Sequence, residues 1–415
     1  MDTQLIQTLK GFRDFLPEEK KARQFVATKI TEIFERFGFE PLETPTLEYA
    51  SLLLGKYGAE ADKLVYTFKD AGERKIGLRY DQTVPTARVL AQYQSELPKY
   101  FRRYQIQNVY RAEKPQKGRY REFTQCDIDI FGSTSPLADA EILACTYQAF
   151  KNVGYQNIII KINDRKTLLD TLSRFATEQV GVFSIIQSID KLDKVTSEKV
   201  LEELVAKGLA QEIAKQALEA ISQAQPTESL QSIISMAENL GIPKEAIKFS
   251  SVLARGLDYY TGMIFEIVLP DYQLGSFAGG GRYDNLIEQL GGRSIPAVGV
   301  AFGFDRMVEA AKELNLLLKN QSMAQVLVTV FNKELSFASA QIATQLRTAG
   351  INVELFPNSS DDLGKQFKYA SRIQVPYVVV IGPEEKENKV IQLKNMQTGE
   401  QQKLSIEQVI QLLRL

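Results

Sequence analysis

YRAEKPQKGRYREFTQCDIDIFG, Tyr110 to Gly132, joins two strand-like runs, YFRRYQIQNVYR before it and REFTQCDIDIFG at its end. The earlier runs YTFKD and KIGLRYD have the same character. Strand-like runs joined by short connections suggest an antiparallel sheet with few crossovers. The stretch also carries charge: from Lys99 to Arg121 there are eight Lys or Arg residues and one acid, Glu113. A charge run most often marks a solvated face. Here Tyr100, Phe101, Tyr104, Tyr110 and Tyr120 are interleaved with it, a mixture that suits bases and phosphates better than bare solvent.

Three further segments hold concentrated chemistry. ARGLDYYTG, Ala254 to Gly262, packs an arginine, an aspartate and two adjacent tyrosines into nine residues. If extended, it points Arg255, Leu257 and Tyr259 one way and Gly256, Asp258 and Tyr260 the other. The plain alternative is a strand entering a turn, with the tyrosine pair in the core. GSFAGGGRYDNL, Gly275 to Leu286, is not a phosphate-binding P-loop, since the chain has no G-x-x-x-x-G-K-[ST]; alone, it reads as a tight turn. GVAFGFDRM, Gly299 to Met307, reads as a strand entering a helix, with Arg306 near the helix start.

Composition limits the possibilities. The 415 residues suffice for two or three domains, and 44% hydrophobic with 24% charged residues is ordinary for a globular enzyme. No apolar run approaches the roughly 20 residues needed to span a bilayer. The N-terminal MDTQLIQTLKGF has neither secretory nor transit character, so a cytoplasmic location is expected. Cys126 and Cys145 are too few for a disulfide framework and lack zinc-ligand spacing, which predicts two buried thiols. There is no histidine. His-based triads, His metal ligands and the usual neutral-pH proton shuttle are therefore excluded, and chemistry must rest on Arg, Lys, Asp, Glu and Tyr. No side chain is expected to titrate between pH 6 and 8 unless strongly perturbed.

Along the chain, Pro17 opens a helical stripe of Ala22, Phe25, Val26, Ile30, Ile33, Phe34 and Phe37, closed by Gly38. FEPLETPTLE then reads as an extended strand interrupted by Pro41 and Pro45. From about 166 to 248 the periodicity is helical, as in SEKVLEELVAKGLAQEIAKQALEAISQA, and predicts an insertion within a domain spanning residues 1–322. A polar stretch near Gln321 precedes alternating strands and helices over 323–415, the pattern of a parallel or mixed α/β sheet.

Together these motifs resemble the histidyl-tRNA synthetases, a family of class II aminoacyl-tRNA synthetases, from Leu9 nearly to the C-terminus. The resemblance implies an α+β fold: an antiparallel-sheet catalytic domain with a helical insertion, and a C-terminal α/β anticodon-binding domain. It implies a homodimer that joins L-histidine to tRNA(His) at the expense of ATP, with Mg2+ bound with the ATP. Arg111 and Glu113 match the Arg-x-Glu of the second class II motif, where the arginine grips the α-phosphate and the glutamate accepts from the adenine amino group. Arg119 and Tyr120 then stand as nucleotide contacts, and Arg306 as a γ-phosphate ligand. Arg255 matches the family's catalytic arginine. Asp81 and Gln125 match α-amino ligands, with Thr83 beside them. Asp129 and Tyr260 match imidazole ligands, and Tyr259 and Tyr283 are expected near the substrate. Many bacterial members have Glu where this chain has Asp81 and Asp129, so reach shortens by one methylene while charge is kept. Lys114 and Gln116 match a loop that reads the tRNA; Lys114 replaces a frequent arginine. No protein-held metal is implied. A non-catalytic relative, the regulatory subunit of ATP phosphoribosyltransferase, shares the catalytic fold and is the alternative. Such subunits typically lack the C-terminal domain and degrade the arginine motif.

Overall fold

The computed structural model describes residues 6–54, 62–116, 119–193, 195–255, 259–272, 275–289, 293–317 and 322–414. The chain divides into two compact units, Met1–Leu317 and Leu318–Leu415.

In the first unit the helix Pro17–Arg36 begins at a proline, whose missing N–H costs nothing there, with Glu18 and Glu19 at the positive helix end. It stops where Gly38 takes φ +73°. The next segment is not one interrupted strand. It forms two separate pieces, β1 (Glu40–Pro41) and β2 (Leu47–Tyr49), which enter different sheets. Proline cannot donate to a ladder, so Pro41 ends β1 at a sheet edge and Pro45 sits in the break.

The small sheet joins β2 to β4 (Lys75–Leu78) and β3 (Thr67–Lys69), both pairings antiparallel. The main sheet has eight strands: β1, β5 (Phe101–Tyr110), β6 (Glu122–Phe131), β7 (Ile159–Asp164), β8 (Ile247–Phe249), β9 (Met263–Val268), β10 (Ala278–Arg282) and β11 (Ala297–Phe302). Their spatial order is β1-β5-β6-β11-β10-β9-β7-β8. The six inner strands are antiparallel throughout, and parallel pairings occur at the two edges.

Alternation divides this sheet. Cys126, Ile128 and Ile130 of β6 and Val298, Val300 and Phe302 of β11 face a core built with the helices Pro17–Arg36, Pro136–Val153, Glu228–Asn239 and Phe304–Glu313. Their sequence neighbours therefore face the opposite way. Both cysteines are free thiols in that core.

Helices fill most of 165–239, as the periodicity predicted. The helix Glu228–Asn239 contributes Leu230, Ile233 and Ala237 to the sheet-backed core. The preceding helices supply Leu168, Ile185, Leu204 and Ile221 to a second core that continues to Tyr260, Tyr283 and Ala297.

The second unit has a five-stranded mixed sheet, β13-β12-β14-β15-β16, from β12 (Val326–Val328), β13 (Val353–Leu355), β14 (Tyr377–Val380), β15 (Ile391–Asn395) and β16 (Gln401–Leu404). Val326, Val328 and Val379 pack with the helices Ser336–Thr348 and Ile406–Leu413; Leu327, Val378 and Val380 pack with Leu363–Arg372.

Candidate active site

On β6, Gln125, Asp127 and Asp129 fall at alternate positions and share the face turned away from the helical core. Antiparallel pairing sets Gln107, Gln105 and Arg103 of β5 directly opposite them. On the other side β11 offers Ala301 to Asp127 and Gly299 to Asp129. A side chain at 299 would collide with the Asp129 carboxylate, so glycine is what admits that group.

The glycine run is a strand, not a turn. Gly279 and Gly281 of β10 register with Ala301 and Gly299. A Cβ on Gly279 would fall on the Arg255 guanidinium, and one on Gly281 would press on the Tyr260 ring. The sheet thus has two floor rows. One runs Asp127, Ala301, Gly279 under Arg255; the other runs Asp129, Gly299, Gly281 under Tyr260.

Above these rows lies a cavity of about 450 Å³ lined by Asp81, Thr83, Arg111, Gln125, Asp127, Asp129, Arg255, Tyr259, Tyr260, Tyr283 and Arg306, among others. This volume is in the usual range for a small-molecule site. The alternation predicted for Ala254–Gly262 does not hold: Tyr259 and Tyr260 both line the cavity, their ring centroids 4.3 Å apart. Neither is in a strand, and Tyr259 lies in a turn. Gly256, Leu257 and Asp258 lie outside the described residues.

Asp129 is held at both oxygens. The Tyr283 hydroxyl donates to Oδ1, and Arg103 Nη2 lies 2.6 Å from Oδ2. Burial raises its pKa, with Arg103 and the Tyr283 hydrogen bond opposing. Asp127 is treated differently. Gln125 Nε2 donates to its Oδ2 at 2.7 Å, Arg103 stands 3.9 Å away, and Oδ1 has no partner. Burial pushes its pKa up to about 8 despite Arg103, with Asp129 adding to the rise. The expectation of no side chain titrating near neutrality therefore meets an exception at Asp127. Asp81 caps the next helix, Oδ1 accepting from the Val84 amide at 3.1 Å.

Two of the cavity's arginines are held by neutral groups. Arg111 Nε donates to the Tyr80 carbonyl at 3.2 Å, and its guanidinium lies over the Tyr80 and Phe123 rings. Arg306, in the first turn of Phe304–Glu313, donates to the Ser276 carbonyl at 2.7 Å.

Five residues singled out from sequence are not among the cavity lining: Glu113, Lys114, Gln116, Arg119 and Tyr120. Gln116 and Arg119 form a β-bridge across the loop, and Tyr120 stacks on the Arg13 guanidinium at 3.3 Å. The basic run is also less free than its composition suggests. Arg103 is buried against Asp129, and Arg102 pairs with Glu141. Sequence reasoning missed Asp127 and Arg103. The period-two Gln-x-Asp-x-Asp of 125–129 carried the signal for Asp127, while nothing in the basic run distinguished Arg103.

An antiparallel sheet with arginines lining a cavity above it, and acids beside them, is the arrangement expected of a class II aminoacyl-tRNA synthetase. Comparisons extend this. A family model described as histidyl-tRNA synthetase matches residues 11–307, and an anticodon binding domain model matches 325–414. The histidine–tRNA ligase of Wolinella succinogenes is 38% identical over 98% of each chain. That of Cytophaga hutchinsonii is 36% identical over 97% of this chain and 98% of its own. The crystal structure of histidyl-tRNA synthetase from Nostoc sp. PCC 7120 superposes with a TM-score of 0.87 at 30% identity, covering 99% of each chain. The chain belongs to the histidyl-tRNA synthetase family.

Proposed function

We propose that this site activates L-histidine with ATP to histidyl-adenylate and transfers the histidyl group to the 3′ end of tRNA(His). The substrate carboxylate attacks the α-phosphorus in line and pyrophosphate leaves. Negative charge then gathers on phosphoryl oxygens, where fixed guanidinium groups act most strongly. The observation that carries the reading is the cavity's polarity: Arg111, Arg255 and Arg306 share one chamber with Asp81, Asp127 and Asp129. That pattern suits a zwitterion meeting a triphosphate.

Arg111 and Arg255 take the α-phosphate and Arg306 the γ-phosphate. The row Asp129–Gly299–Gly281 receives the imidazole between Asp129, Tyr283 and Tyr260. Asp81, Thr83 and Gln125 stand near the α-amino group, with Tyr259 alongside. Glu113, Arg119 and Tyr120 contact the nucleotide, and Lys114 and Gln116 the tRNA, once the loop folds over ATP. Mg2+ would enter with the ATP and neutralise phosphate charge. We assign residues 1–322 to catalysis, with the insertion at about 166–248 directed to tRNA, and residues 323–415 to the anticodon. The working form is a cytoplasmic homodimer; no helix among the described residues is long and apolar enough to cross a membrane.

ATP–pyrophosphate exchange across all twenty amino acids tests the reading. Exchange with histidine alone is expected. Exchange with another amino acid, or with none, overturns it and, in the second case, favours the regulatory-subunit alternative.

A further inference from the structure

We propose that Asp127 is a receptor for the α-ammonium group of the amino-acid substrate, facing Arg255 across one row of the sheet floor. The inference rests on the activation reading above and gives a specific contact to Asp127, which that reading counts only towards the cavity's charge.

Asp127 is 4% exposed, lines the cavity, and leaves Oδ1 without a hydrogen-bond partner. Gln125 Oε1 is likewise buried and unpartnered, while its amide nitrogen is directed to Asp127 Oδ2. Two adjacent acceptors, both without a partner and both on residues that line the cavity, call for a donor-rich cation, because a buried polar group without a partner is costly. An ammonium group has three donors and no acceptor.

Register supplies the direction. Asp127 pairs with Ala301, and Ala301 with Gly279, above which lies Arg255. Two strand spacings separate the ends of this row, about 9–10 Å. Once both side chains reach inward, the gap suits one α-amino acid head group, its ammonium at Asp127 and its carboxylate at Arg255. Asp129 lies in the next row, its Oδ1 accepting from Tyr283 and its Oδ2, although without a hydrogen bond, ion-paired with Arg103 at 2.6 Å, so its charge is already matched by a closer guanidinium than Asp127 has.

Arg103 approaches Asp127 from β5, Asp129 shares its face of β6, Asp81 lies on the turn before the helix Thr83–Gln92, and Tyr259 stands nearby, while the adjacent Cys126 thiol faces the helical core on the other side of the sheet. From β11 only Ala301 is presented. Burial, opposed by Arg103, pushes the pKa of Asp127 up to about 8, so on this proposal the carboxyl carries a proton near neutrality until the ammonium binds. It releases that proton when an ammonium arrives to replace it.

The test compares the parent with Asp127→Asn, an isostere of the protonated acid that preserves the fold. Binding of L-histidine and of 3-(imidazol-4-yl)propionate, which lacks the amine, is measured calorimetrically near pH 7 in two buffers of different ionisation enthalpy. Asp127→Asn should weaken L-histidine roughly 10- to 100-fold and leave the des-amino compound unchanged. Proton release on histidine binding should appear in the parent and vanish in the variant. Equal weakening of both compounds, or release that persists in Asp127→Asn, overturns the proposal. Parent exchange assays judge the activation reading separately. If they select a different amino acid, that amino acid and its des-amino analogue become the probes, and the same outcomes decide.

Discussion

The Arg255 guanidinium occupies the space a side chain at Gly279 would need. Glycine inside a strand normally weakens it, and alanine would ordinarily be an improvement. Here the missing methyl is what lets the arginine lie on the sheet. Gly279→Ala should therefore keep the fold and displace Arg255. We expect ATP–pyrophosphate exchange at least ~100-fold below the parent, as for Arg255→Ala, the scale for losing a transition-state charge donor. Near-parental exchange in a folded Gly279→Ala protein would remove Arg255 from the centre of the mechanism.

The Asp129–Arg103 pair separates binding from stability. Both side chains are almost fully buried, so deleting one leaves an uncompensated charge. Asp129→Ala should lower stability by about 3–5 kcal/mol in chemical denaturation, besides harming histidine binding more than ATP binding. Replacing both residues by leucine should restore much of the stability but none of the histidine binding. A double variant that binds histidine would show Asp129 to be structural alone.

These two relationships also mark where the sequence was legible. Helix starts and the alternation of strands and helices in the C-terminal unit follow from local patterns, a proline at a helix start and a change of periodicity, while Arg111, Arg255 and Arg306 are brought to one site by the family resemblance of their motifs. Residues paired across the sheet were not legible. Arg103 sat in a run of eight basic residues, and only its register with Asp129 turns it inward. The glycine run looked like a turn because its reason, the arginine above it, comes from a segment more than 20 residues earlier. By pattern alone Pro41 and Pro45 interrupt one strand, whereas in the fold they divide two strands between two sheets.

The C-terminal unit has its own sheet with apolar clusters on both faces. Removing residues 323–415 should weaken tRNA charging far more than ATP–pyrophosphate exchange. The check is both assays on one truncated preparation whose circular dichroism shows a folded protein. If both activities fall together, the unit supports the active site instead of reading tRNA.

A pH series on stability probes Asp127 without any ligand. Its folded pKa of about 8 lies far above the unfolded carboxyl value near 3.9. Between those values the folded state keeps a proton that the unfolded state releases, so this group's contribution to stability falls as pH rises. Below about pH 4 both states are protonated, and above about pH 8 both are ionised, so the trend levels at each end. Asp127→Asn never ionises. The melting temperature of the variant relative to the parent should therefore climb from pH 5 to pH 8 and then flatten. Asp129 and Asp139, also raised by burial, are common to both proteins. With no histidine in the chain, no imidazole titration overlies the window. A difference that stays constant from pH 5 to 9 would mean that Asp127 is already ionised in the free protein, with Arg103 compensating it more fully than the 3.9 Å separation suggests.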